Sequence, residues 1–133
     1  MDWDRALADT FLRAVRKPKW RTPGGGVSYA AFAPTAPHVD GGRETSINWE
    51  DSPAALKLPA HLCQGGIARV SRHKIEDTFA KMREGSGMKL ERREDPMNPS
   101  NIFHGNIVYE VGKAREREFA SVIALLVESV EEC

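Results

Sequence analysis

Two periodic segments stand back to back late in the chain, and they constrain the fold more than any other feature. Residues 102–111 include Ile107, Val108, Tyr109 and Val111, a strand-forming run. Residues 113–132 place Phe119, Val122, Ile123, Leu126, Val127 and Val130 on one helical face, at i, i+3, i+4, i+7, i+8 and i+11. A strand followed at once by a long amphipathic helix needs a sheet to join. Glycine and proline cut the rest of the chain into pieces short enough to supply one.

The other expected strands lie at 27–33, 45–49, 67–70 and 88–94. Helices are expected at three further places. Residues 2–17 carry Trp3, Leu7, Phe11 and Val15 at near-helical spacing, with Arg13, Arg16 and Lys17 in the last turns and Pro18 as the stop. Ser52-Pro53 opens a short helix that ends before Gly65-Gly66. Ser71 caps a third, with Ile75, Phe79 and Met82 as its stripe and Gly85 as its end. The sum is an α+β fold, one domain over residues 1–133. It has a small, mainly antiparallel sheet of about five strands, helices packed on one face and a long C-terminal helix.

Charge excludes some functions. Lysine plus arginine and aspartate plus glutamate number 19 each, so the formal net charge is zero. A protein that coats nucleic acid by neutralising phosphates would be basic, and nucleic acid is not an expected partner. Two local exceptions are Arg13, Arg16, Lys17, Lys19 and Arg21 around Trp20, and Arg69, Arg72, His73 and Lys74. Basic residues around an aromatic can track a backbone and stack a base. The plainer reading is helix-dipole compensation and solvated loops. No run of 18 apolar residues is present, so no membrane span is expected. The acidic start, Met1-Asp2-Trp3-Asp4, lacks the pattern of a signal peptide, and a cytoplasmic location is expected. Cys63 and Cys133 form neither a zinc spacing nor a disulfide framework, with Cys133 expected to be exposed.

Two polar groups are candidate sites. In the first, Gly41-Gly42 delivers Arg43 and Glu44 into a strand that ends at Trp49, beside Glu50 and Asp51. Ser46 and Asn48 share one strand face, with Ile47 and Trp49 on the other. Arg43 would hold an anion through its fork of donors, and Glu44 would serve as a general base or orient a histidine. The structural alternative is cross-strand ion pairs for Arg43 and Glu44. The second group is Asn98, Asn101, His104 and Asn106. Here His104 is an acid–base candidate, and Gly105 would admit a ligand close to the backbone. The alternative is that Asn98 and Asn101 shape a turn and His104 bonds a backbone carbonyl across the sheet.

Other chemistry lacks a pattern. The four histidines form no metal-ligand spacing, and His61 with Cys63 has no companion pair, so no metal is expected. There is no Gly-x-Ser-x-Gly elbow, phosphate-binding P-loop or dinucleotide fingerprint, so no cofactor is expected.

The runs Glu44-Thr45-Ser46-Ile47-Asn48-Trp49 and Asn98-Pro99-Ser100-Asn101-Ile102-Phe103-His104-Gly105-Asn106-Ile107 resemble motifs of small bacterial proteins without assigned function, often carried in accessory or mobile gene neighbourhoods. That resemblance implies no substrate and transfers no catalytic residue. The expectation is a cytoplasmic accessory protein that binds a small ligand or protein partner on a polar sheet face. Its ligand-binding residues would be Arg43, Ser46, Asn48, Trp49 and Asn106. One alternative is a small hydrolase or nuclease-like toxin using His104 and Glu44. Another is an assembly protein that forms a homodimer through the C-terminal helix.

Overall fold

The computed structural model describes residues 7–50, 60–82, 87–93, 95 and 103–132. It is an α+β protein. Among the described residues it has seven strands instead of the expected five or so, since 10–14, 36–37 and 127–131 pair into the sheet and 27–33 does not: β1 (Thr10–Ala14), β2 (Ala36–Pro37), β3 (Arg43–Trp49), β4 (Ile67–Ser71), β5 (Met88–Arg92), β6 (His104–Tyr109) and β7 (Val127–Glu131). The α-helices among the described residues are α1 (Arg72–Lys81) and α2 (Lys113–Leu125). The strands form one sheet in the order β5-β6-β3-β1-β4-β7, with β2 added beside β3. Every pairing is antiparallel.

One face of the sheet carries the core. Phe11 and Val15, Thr45, Ile47 and Trp49, and Ile107 and Tyr109 alternate inward from their strands. Ile75 and Phe79 of α1 and Phe119, Ala120 and Ile123 of α2 join the same cluster. Phe79 and Phe119 meet edge to face, 5.0 Å apart at 88°, and lock the two helices together. Ser71 caps α1 as expected, accepting the Lys74 N–H at 3.3 Å.

Three expectations change. Residues 2–17 are not one helix, since residues 10–14 form β1 in the middle of the sheet (residues 1–6 lie outside the described set). The spacing of Phe11 and Val15 fits a helix, but Phe11, Arg13 and Val15 also fit the two-residue period of a strand. The need of β3 and β4 for a shared partner decides between them. Residues 27–33 hold a 3-10 turn, Tyr29–Ala31, not a strand, because the Ser28 side chain accepts the Ala30 N–H at 3.1 Å.

The long C-terminal helix is also cut short. α2 ends at Leu125, and Val127–Glu131 pairs with β4. Glu128 and Glu131 would have put negative charge on the helix's negative end. Outside the helix they meet cations instead, Lys74 with Glu128 at 2.7 Å and Arg69 with Glu131 at 3.0 Å. The helix expected to open at Ser52-Pro53 and the turn expected around Asn98 and Asn101 fall almost wholly outside the described residues. Residues 60–62 are a 3-10 turn.

Cys63 is buried and disulfide-bonded, which corrects the expectation that the two cysteines form no disulfide framework. The chain's one other cysteine, Cys133, lies outside the described residues. Pairing of Ile67 with Glu131 brings the end of β7 to the loop that carries Cys63. Cys63→Ser should therefore cost about 2–4 kcal/mol, because the cross-link restricts the unfolded chain. Denaturant unfolding with and without reductant checks this: reductant should lower the parent to the variant's midpoint and leave the variant unmoved.

Candidate functional site

β3 and β6 build the polar face, and register decides which side chains share it. Asn48 stands opposite His104, Ser46 opposite Asn106 and Glu44 opposite Val108. On the next strand, Glu91 stands opposite Asn106 and Lys89 opposite Val108. Alternation then puts Glu44, Ser46, Asn48, Glu91, His104 and Asn106 on one side of the sheet, away from the helices. The expected faces of Ser46, Asn48, Ile47 and Trp49 agree with this arrangement.

Arg43 and Trp49 lie on the opposite face from the ligand-binding residues grouped with them. Arg43 is in step with Thr45, Ile47 and Trp49, so it points toward the helices. There it donates to Glu116 of α2 at 3.0 Å and to the Pro34 carbonyl at 3.3 Å. Glu116 is itself buried, so the pair is part of the packing. Trp49 is buried too, and its indole N–H donates to the Glu91 carbonyl at 3.0 Å. The indole lies against Gly105, so the close approach expected of a ligand there is made by Trp49. Parity within the strand was the available signal. Arg43 is adjacent in sequence to Glu44 and for that reason cannot share its face.

Glu44 and His104 share a face without pairing. They are separated by the Ser46–Asn106 rung and stand four residues apart in register, about 13 Å along the strands. His104 is buried, and its Nδ1 lies 2.9 Å from the Arg93 carbonyl, the backbone bond weighed as the structural alternative. The histidine–carboxylate pair on this face is instead His38 with Glu91, whose Nε2 and Oε1 are 2.7 Å apart. His38 Nδ1 accepts the Asp40 backbone N–H at 3.1 Å, so both ring nitrogens are occupied and Nε2 is the donor to Glu91. The sequence reading missed this pair because His38 sits in a loop 53 positions from Glu91.

Glu91 is saturated with donors. Asn106 Nδ2 reaches it at 3.2 Å and Arg93 Nε at 3.3 Å, in addition to His38. Burial alone would raise its pKa, but the bonds from His38, Asn106 and Arg93 prevail and hold it below the ordinary glutamate value. Arg93 also binds Asp40 at 2.8 Å. Glu44 behaves in the opposite way. No hydrogen bond or ion pair reaches its carboxylate among the described residues. Burial raises its pKa and the charge of Glu91 adds to the rise, while His38, His104 and Arg93 oppose it.

The two glutamates therefore have opposite linkage. A raised pKa gives stability that is complete below the ordinary value and is lost as pH climbs through the raised one. Glu44→Gln should thus melt above the parent at neutral pH, with the gain fading toward about pH 4. A lowered pKa gives stability that is present above the ordinary value and lost as pH falls through the lowered one. Glu91→Gln should therefore melt below the parent at neutral pH. Thermal unfolding across that pH range checks both signs.

The second basic cluster is taken up in ion pairs, and of the first Arg13 is buried while Arg16, Lys17 and Lys19 are exposed. Arg13 is 3% exposed beneath the sheet, and the Lys17 ammonium lies over the Trp20 ring at 5.7 Å. Arg69 pairs with Glu50 and Glu131, Arg72 with Glu76, His73 with Asp9 and Lys74 with Glu128. The chain matches no protein-family model, no curated protein and no solved structure. Among the described residues there is no group of three or more His, Cys, Asp or Glu able to hold a metal, and no helix long and apolar enough to cross a membrane. A separate surface pocket of about 550 Å3 is lined by Pro18, Arg21, Cys63, Gly65 and Glu132, away from the polar face. Asn98 and Asn101 lie outside the described residues.

Proposed function

We propose that this chain is a binding protein that takes a small polar ligand, or a polar side chain of a protein partner, on the face of Glu44, Ser46, Asn48, His104 and Asn106. One observation carries the reading. Asn106 is 1% exposed, yet its Oδ1 has no hydrogen-bond partner among the described residues. Buried polar atoms are almost always satisfied, and an orphan costs about 1–3 kcal/mol. The carboxylate of its diagonal neighbour Glu44 also has no hydrogen-bond partner among the described residues. Two unmet acceptors side by side suit a partner from outside the chain.

A non-catalytic role is favoured. The hydrolase alternative asks Glu44 and His104 to act as a pair, and the register holds them apart. The assembly alternative asks for an unused apolar face on α2, and Phe119, Ala120 and Ile123 are spent on the chain's own core. The bacterial accessory role belongs to the same proposal. A disulfide at Cys63 fits an oxidising compartment better than the cytoplasm first expected. A screen of charged and neutral fragments by amide NMR tests the binding reading. Saturable shifts confined to residues 43–48 and 104–109 are expected. Shifts elsewhere, or none, would overturn it.

A further inference from the structure

The polar face has an acceptor surplus. Asp40, Glu44 and Glu91 stand against one guanidinium, Arg93, which Asp40 and Glu91 already hold. Lys89 is turned to Glu110, 3.3 Å away. Arg43, the residue expected to supply a cation, is on the other side of the sheet with Glu116. His38 spends its donor on Glu91. The charged and titratable groups acting on Glu44 are His38, Glu91, Arg93 and, farther along the strands, His104, and none of them donates to it. Glu44 and Asn106 are diagonal neighbours on antiparallel strands. Such pairs are about 7–8 Å apart at their backbones, and closer toward the side-chain tips. The Asn106 amide bonds Glu91 through Nδ2, which leaves Oδ1 buried and without a partner among the described residues, so a ligand reaches it only as neighbouring side chains give way.

We propose that the ligand of this face is a protonated nitrogen group, a guanidinium or primary ammonium, that donates to the Glu44 carboxylate and to Asn106 Oδ1 together. This rests on the binding reading above and names its chemistry. A cation with several N–H donors satisfies both orphans at once and matches the uncompensated negative charge. An anion would meet two acceptors, one of them a carboxylate. A neutral donor would leave the charge of Glu44 uncompensated. The group comes either on a free small molecule or on an arginine or lysine of a partner protein, and the contacts are the same.

The test titrates the 15N-labelled chain with methylguanidinium, methylammonium, the neutral analogue N-methylurea and acetate. Saturable shifts of the Asn106 side-chain amide and of backbone amides at 44–48 and 104–108 are expected with one or both cations. N-methylurea should bind at least about tenfold more weakly, and Glu44→Gln should weaken the cation about tenfold while leaving the rest of the spectrum in place. A blocked Gly-Arg-Gly peptide that binds more tightly than methylguanidinium points to a protein partner. Equal binding points to a free small molecule. Cation binding that Glu44→Gln leaves unchanged, or that N-methylurea matches, overturns the proposal. If acetate or the urea shifts this face and the cations do not, the binding reading stands and the cation assignment falls. If no probe of any charge reaches it, both fall.

Discussion

Gly105→Ala should destabilise the protein by about 3 kcal/mol, the upper end of what overpacking costs. A methyl group at Gly105 would run into the Glu91 carbonyl and the indole nitrogen of Trp49, the two ends of one hydrogen bond. It would also meet a ring that is fully packed, with Phe11 at 5.7 Å and edge-on. The carbonyl belongs to the sheet and cannot withdraw without opening the β5–β6 pairing. Chemical denaturation measures the loss. Pairing it with Trp49→Phe identifies the mechanism. The double variant should lose less than the sum of the singles by more than about 0.5 kcal/mol, because the smaller ring vacates part of the slot. Additive losses would place the strain elsewhere.

Arg13→Ala should cost about 3–5 kcal/mol, from a cavity and two lost hydrogen bonds. Arg13 lies in the core, where Nε donates to the Ala31 carbonyl at 2.8 Å and one terminal nitrogen to the Ser46 carbonyl at 2.9 Å. It ties the turn at 29–31 to the middle of β3. Nη2 has no partner. Burial, with help from Arg16, lowers its pKa to about 10, and Tyr109 opposes the drop. Arg13→Met restores packing without either hydrogen bond and should fall between the parent and Arg13→Ala. If Arg13→Ala unfolds at the parent's denaturant midpoint, the two carbonyls do not depend on this side chain.

The elements that rest on neighbours in sequence were legible. Ser71 as a cap, the stripe of Ile75 and Phe79, the alternation of β3 and the start of α2 all follow from short-range rules. What the sequence hid was settled by pairing. β1 and β7 carry patterns that a helix accepts as readily as a strand, and only the open edges of β3 and β4 choose between them. The candidate site divided along the same line. Ser46, Asn48, Glu44, His104 and Asn106 come together on one face, while Arg43 and Trp49 serve the other. Strict parity would have separated Arg43 from Glu44 at the outset. His38 could not have been placed on this face, since a loop histidine carries no register.

The order of the strands also sets a tempo. The pairings β3–β6, β1–β4 and β4–β7 each join segments roughly sixty positions apart, so little of the sheet can form before distant parts of the chain have met. Loop closure must precede the contacts that reward it, and such topologies refold in about milliseconds to seconds, not microseconds. Until then β4 has open backbone on both sides, and an unpaired strand edge invites other chains. The same arrangement that holds a polar face rigid once assembled makes its assembly slow.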